Sequence, residues 1–425
     1  MQKFMDFMEK YFIPVAAKIG AQKHLIAVRD GFVSIMPIVM AGSFATLINA
    51  LPVPGYKEFM EKTFGIEWKF VQNAIWDASF GVMSLLVVFT TAYSLAKSYE
   101  KDGIACATVC YASLAMFYGV VPVGGDSFKG ATGLFVALGI ALIFGTIFCK
   151  LLGNPKLLIK MPDGVPPAVS KSFAALFPSM IVLVLAGITK AILVWVFGIN
   201  SIHQLVLDSI QGPLMGVFTA GLAPILFLIF LQQLLWFFGL HGSNVLAPVI
   251  NAILLPLTTL NIEAFNLGNK PENIINSQFL DSFVNMGGSG ATICLLIAIF
   301  IVSKNKANKI IANLSVAPGL FNINEPVIFG MPIVLNPIYI IPFIIVPLVC
   351  AIIAYLATLW GIMPVIGILA PWTTPPVIGA WMSTGSFRGA LVALINIAVG
   401  TALYLPFVMA ADKKAILEES QGLAQ

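Results

Sequence analysis

"IIANLSVAPGLFNINEPVIFGMPIVL", residues 310–335, is apolar enough to lie at membrane depth, yet Pro318, Gly319, Pro326, Gly330 and Pro332 break it. It also carries one carboxylate, Glu325, between Asn324 and Pro326. Broken backbone inside a bilayer leaves N–H and C=O groups unpaired unless it is packed in protein or lines a wet cavity. An acid at the bilayer centre costs about 2.5–3.5 kcal/mol on insertion scales. The stretch therefore reads as a broken, cavity-lining segment with Glu325 at its working end.

The rest of the chain supplies the membrane. It has 425 residues, 59% of them hydrophobic and only 10% charged, with a mean hydropathy of +0.95. Soluble domains carry about a quarter of their residues as charges. Apolar windows long enough for a hydrocarbon core of about 30 Å fall near 28–51, 78–97, 104–122, 131–152, 174–198, 217–240, 245–261, 286–303, 336–358 and 388–411. The expected fold class is an all-α membrane protein with about ten transmembrane helices. A second broken window, 361–387, joins 310–335 as an irregular segment. The first 24 residues mix charge with bulky apolar groups and lack the long apolar run of a signal peptide, so an N-terminal amphipathic helix on the membrane surface is expected.

Basic residues orient the spans. "KSYEKD" (97–102), the loop from Lys150 to Phe173 and "KNKANK" (304–309) are lysine-bearing, as are both ends of the chain. The positive-inside rule places these segments, and both termini, in the cytoplasm. Residues 1–200 have fewer interruptions and read as a helical scaffold; 201–425 reads as the substrate-binding half. Cys106, Cys110, Cys149, Cys294 and Cys350 all sit in apolar windows without C-x-x-C spacing, so they are expected as small buried hydrophobes. No metal or cofactor is expected.

Beside Glu325, two polar clusters interrupt the oil. "LQQLLWFFGLHGSN", 231–244, places Gln232, Gln233 and Trp236 before a glycine-flanked His241, with Ser243 and Asn244 following. His241 and Asn244 are three apart and share a face on a helix. "APWTTPPVIGAWMSTG", 370–385, offers Trp372 either as an interfacial anchor or as a platform for the apolar face of a sugar ring. Glu325 itself can pin the broken segment to a partner, or accept a hydrogen bond or a proton from a polar substrate. "NMGGSGAT", 285–292, reads as a site of close helix packing. His24 and His203 read as interfacial, and Lys190 and Arg388 as snorkelling residues near span ends. The chain has no Walker loop, dinucleotide fingerprint or carboxylate relay. It must use a gradient through very few ionisable groups, or draw energy from a partner.

"GLHGSN" (239–244), "MPDGVPPAVSKSFAALFP" (161–178), "MGGSGAT" (286–292) and "NLSVAPGLFNINEPVIFGMPIVLNP" (313–337) together resemble the membrane component, enzyme IIC, of the lactose/cellobiose/diacetylchitobiose family of bacterial sugar phosphotransferase systems. The resemblance covers nearly the whole chain. It implies a multi-pass permease of the bacterial cell membrane, homodimeric through its N-terminal half and surrounded by lipid. Two re-entrant hairpins would enter the C-terminal half, one after the span ending in "GLHG", the other carrying Glu325. The substrate would be a β-linked disaccharide, diacetylchitobiose or cellobiose by preference. Phospho-enzyme IIB, a separate chain carrying a phosphocysteine, would phosphorylate it at the cytoplasmic face. Glu325 and His241 would lie at the hydroxyl that receives the phosphoryl group, which of them takes the proton being left open. Asn324, Trp236, Asn244, Gln233 and Trp372 would bind the sugar. Nucleic acid is not an expected partner. The rival reading is a cation-coupled secondary sugar transporter with Glu325 as its proton site.

Overall fold

The computed structural model describes residues 10–422, apart from 12, 52, 119–127, 160, 163 and 332. The described residues form helices and no strands. Six helices are long and apolar enough to cross a membrane: Lys23–Asn49, Ala131–Leu152, Val169–Trp195, Gly242–Asn266, Ile340–Leu359 and Phe387–Lys414. Two more candidates are bent pairs, Phe70–Ser79 with Met83–Ser98 at 40° and Ile202–Thr219 with Ala223–Phe237 at 89°.

Two of the ten expected windows are shorter as helices than as apolar runs. Gly103–Phe117 has 15 residues and Thr292–Val302 has 11, which at about 1.5 Å per residue fall short of a 30 Å core. In the second case the cause is the glycine run. Gly287, Gly288 and Gly290 all adopt positive φ, so residues 286–291 form a bend before the helix begins. Residues 119–122 of the first window lie outside the described residues. So do residues 1–9 and 12 of the expected amphipathic helix, of which Ile13–Gly20 is helical, with Val15 and Ile19 exposed and Ala16 buried.

Side chains pack into three main cores. One is drawn from Met215 to Val408, with Ile225, Phe283, Leu295, Phe343 and Tyr404 fully enclosed. A second joins Val88, Cys106, Leu114, Phe148 and Val182. The third ties Phe32, Ile35, Met83 and Leu134 to Leu255, Ile262 and Leu369 of the second half. All five cysteines are free and buried. Helix Lys23–Asn49 meets Met83–Ser98 closely at Gly31, where a Cβ would lie 2.3 Å from Thr91 Oγ1; small residues permit such approach between membrane helices.

Buried polar side chains pin the irregular parts. Asn396 Nδ2 donates to the carbonyls of Phe283 and Cys350, both at 3.0 Å. Tyr404 donates to the Gly290 carbonyl at 2.7 Å, holding the glycine bend against Phe387–Gly422. Asn261 Nδ2 donates to the carbonyls of Asn273 and Ile366. Asp412 is 5% exposed and accepts from Ser303 Oγ, the Lys304 and Asn305 amides and Asn308 Nδ2. A buried carboxylate with that many donors is compensated, and it fixes residues 303–305 and the start of Lys306–Leu320 to the last helix.

Two residues depart from the sequence expectation. His203 is 1% exposed and stacks on Tyr118 with ring centroids 4.8 Å apart, so it is a core residue rather than an interfacial one. Lys190 has a partner within the protein that its place near a span end does not announce: its Nζ donates to the Met116 carbonyl at 2.5 Å, at the last turn of Gly103–Phe117.

Candidate functional site

The segment that opened the reading folds as Lys306–Leu320, a turn at 321–324 and the short helix Glu325–Gly330. Pro326 starts this helix rather than ending one, since the first turn needs no N–H from it. The turn is fixed by its asparagines. Asn322 has φ +62°, its Oδ1 accepts from the Gly287 amide at 2.8 Å, and its Nδ2 donates to the carbonyls of Trp372 and Thr374 at 2.6 and 3.1 Å. Asn324 Nδ2 donates to the Ser289 carbonyl at 2.9 Å. One turn is thus bonded to both the glycine bend and the 370–375 segment.

His241 occupies the N-cap of Gly242–Val249, where its Nδ1 accepts from the Asn244 amide at 3.2 Å. That bond leaves the proton of a neutral ring on Nε2, the nitrogen that faces Glu325 Oε1 at 3.6 Å. The Trp236 ring lies against the imidazole, centroids 4.1 Å apart, and Trp236 Nε1 donates to Ser243 Oγ at 3.3 Å. Ser243 Oγ meets Ser289 Oγ at 3.0 Å. Gln232 Nε2 donates to Ser289 Oγ at 3.0 Å and to Asn285 Oδ1 at 3.2 Å. The network joins segments that are remote in sequence, so His241 and Glu325 are held from behind by protein and left open in front.

In front lies a cavity of about 410 Å³, within the 300–1,000 Å³ range of small-molecule sites. Glu325, His241, Asn324, Trp236, Asn244 and Trp372 all line it. Gln233 does not. It is fully buried, with neither its Nε2 nor its Oε1 bonded among the described residues, and Gln232 lines the cavity in its stead. Adjacent residues on a helix differ by about 100° in direction, and this helix is apolar on every side but one. Trp236 is 2% exposed, so its ring mainly steadies His241. Trp372 is 37% exposed and presents more of its ring.

The sequence reading put the site in the second half alone. One wall in fact comes from the first half, with Phe32, Met36, Val39 and Ser43 of Lys23–Asn49 facing the cavity. Nothing in an apolar span marks such residues. Ser289, Asn285 and Asp281 were also missed. The first two lie in a glycine-rich stretch that reads as helix packing, and Asp281 in a segment polar enough for an acid to pass without notice. Among the described residues, no cluster of three or more histidines, cysteines or acids is arranged to hold a metal.

The profile of the family described as "Phosphotransferase system, EIIC" matches residues 29–347. The chain is 39% identical to the lichenan permease IIC component of Bacillus subtilis (strain 168), covering 99% of this chain and 96% of that protein. It is 36% identical to a cellobiose-specific EIIC component of Geobacillus stearothermophilus, again over 99% and 96%. Among solved structures it is similar to the transporter ChbC, the IIC component of an N,N'-diacetylchitobiose-specific phosphotransferase system. That likeness has a TM-score of 0.91 and 38% identity over 97% of this chain and 99% of the other.

Proposed function

This chain belongs to the phosphotransferase-system EIIC family, and from that premise we propose that it carries a β-linked disaccharide of the cellobiose or diacetylchitobiose type across the bacterial cell membrane and presents it for phosphorylation. The single observation that carries the reading is the Glu325–His241 pair, 3.6 Å apart at the wall of a cavity of disaccharide size. EIIC components work with an enzyme IIB, whose phosphocysteine is the phosphoryl donor in this reading.

In the transfer, a sugar hydroxyl oxygen forms the new O–P bond while the S–P bond to IIB breaks and a thiolate leaves on the partner. The hydroxyl proton passes to Glu325. With Nδ1 taken by the Asn244 amide, His241 turns Nε2 towards the carboxylate and helps hold it in place as an acceptor. Phosphoryl transfer asks mainly for positioning and charge management, which the bonded wall behind the pair supplies. Asn324, Asn244 and Trp372 contact the sugar. Trp236 acts through His241.

The half 1–200 serves as scaffold and dimer contact, and 201–425 holds the sugar, with two re-entrant hairpins, one following the span that ends in "GLHG" and one carrying Glu325. Helix Val169–Trp195 supports the homodimer and lipid contact, because Phe173, Phe177, Val184, Ile188 and Trp195 are exposed along it. Both termini lie in the cytoplasm. The test is uptake of labelled cellobiose into membrane vesicles. Accumulation as sugar phosphate is expected when phospho-IIB is inside, and it should persist with an ionophore present. Uptake abolished by the ionophore and indifferent to phospho-IIB would instead mean a cation-coupled transporter.

The exposed Lys304, Lys306 and Lys309 lie at and just after the turn that Asp412 anchors, at the start of Lys306–Leu320, and they attract the anionic phosphoryl group of phospho-IIB. Charge reversal at all three should raise the phospho-IIB concentration for half-maximal rate by about tenfold, with cellobiose binding unaltered. An unchanged concentration dependence would place docking elsewhere.

A further inference from the structure

We propose that Asp281 is a specificity-determining residue of this cavity, its carboxylate accepting hydrogen bonds from hydroxyls of the sugar ring that is not phosphorylated. The inference rests on the reading of the cavity as a disaccharide site and adds to it a residue outside the Glu325–His241 pair.

Asp281 lies in the cavity wall, within the π-helical turn Leu280–Val284. Ser282 and Phe283, which follow it, turn into the protein, while Leu280 shares the cavity wall. Leu280, Ser282 and Phe283 are buried, and Ser282 Oγ is engaged by Gln278 Nε2 at 2.9 Å and Ser383 Oγ at 3.1 Å. Among the described residues Asp281 has no hydrogen bond and no ion pair, and its oxygens are not sealed away from solvent. No lysine or arginine lines the cavity to neutralise it. The contrast with the other carboxylates is sharp: Asp412 has its ring of donors and Glu325 has His241. Both oxygens of a carboxyl group can accept hydrogen bonds, and a polar group left without a partner away from bulk water is costly. What is missing is a set of O–H donors, which a sugar brings.

The place of Asp281 assigns the ring. It stands one helical turn before Asn285, where the bonded chain Asn285–Gln232–Ser289–Asn324 begins, and that chain ends beside Glu325. On the Asp281 side, Gln278 Oε1 accepts from the Ala370 amide at 3.1 Å, bringing up the Leu369–Trp372 wall. With the reacting hydroxyl at Glu325, the second ring extends along this wall between Trp372 and Asp281.

Cellobiose is the probe. Asp281→Asn keeps the size of the side chain but halves its acceptor capacity and adds a donor. It should weaken cellobiose binding about 10–100-fold, the usual weight of hydrogen bonds to a charged group. At saturating cellobiose, the rate of phosphorylation by phospho-IIB should fall by less than the affinity does, which marks a loss of binding rather than of transfer. Analogues lacking single hydroxyls on the distal ring provide the decisive comparison. At least one should bind wild type about tenfold worse than cellobiose and lose that disadvantage in Asp281→Asn. Wild-type affinity in the variant, or an unchanged ranking of the analogues, overturns the proposal. Should the variant fold poorly, the wild-type series decides alone: equal binding of every distal-ring analogue also overturns it. Failure of wild type to bind or phosphorylate cellobiose or any other β-disaccharide is a different result and refutes the sugar reading itself.

Discussion

Replacing Glu325 by glutamine should lower the rate of sugar phosphate formation by about 10²–10⁴, the range a positioned general base contributes, while cellobiose affinity changes only a few-fold. The two effects separate because the amide keeps a carbonyl oxygen able to accept from a hydroxyl but cannot take its proton. The surrounding frame does not depend on the charge. Glu325 is placed by the turn that Asn322 and Asn324 tie to Gly287, Ser289 and Trp372, and none of those bonds uses the carboxylate. His241 keeps its bond from the Asn244 amide and its contact with Trp236. Purified protein, phospho-IIB and labelled cellobiose suffice for the measurement. A variant that forms sugar phosphate at the wild-type rate would show that the proton goes elsewhere and would leave Glu325 as a binding group only. A variant that loses binding and transfer in equal measure would assign it to ground-state recognition.

How far the sequence alone reaches is clearest at Glu325 and Gln233. Glu325 stands out because oil expels acids, and the same reasoning finds His241 and the asparagines, since polar groups at membrane depth need either a partner or a task. The broken segment is legible from its prolines, although Pro326 marks the start of the short helix and not its end. Gln233 shows where this reasoning stops. On a helix apolar nearly all round, the phase that turns Gln232 to the cavity and Gln233 into protein is set by packing against other segments, and the local pattern carries no record of it. The wall formed by Phe32, Met36 and Val39 is invisible for the same reason: lipid, core and sugar can all face the same side chains. Lys190 reads as a snorkelling lysine because its partner, the Met116 carbonyl, lies 74 residues away.

The glycine run is the most instructive of these, because close approach to a helix holds for Gly290, where a Cβ would lie 2.2 Å from the Phe343 ring of Ile340–Leu359, but not for Gly288. A Cβ at Gly288 would lie 2.6 Å from both Cβ and Cγ of Asn324 and 3.0 Å from the Asn322 carbonyl oxygen. The approach is between a bend and the turn that carries Glu325, not between two helices. Gly288 also has φ +100°, a conformation in which any side chain is strained by about 1–3 kcal/mol. Gly288→Ala therefore faces two costs at once, and neither is relieved by a flexible side-chain tip moving aside. The asparagine must shift, its bond to the Ser289 carbonyl lengthens, and Glu325, the next residue, moves with it. Displacements of about 1 Å at a reacting group can cost 10²-fold in rate, so phosphorylation should fall about 100-fold or more. Cellobiose binding should weaken by about tenfold, because Asn324 and Ser289 share the cavity wall. Gly139→Ala is the control: a Cβ there meets nothing within 4 Å, and both activities should remain. If Gly288→Ala, expressed and folded like wild type, still transfers phosphate at the normal rate, then the contact between the glycine bend and the Glu325 turn does not position the reacting groups. The geometry of the pair would then have to be set from the His241 side alone.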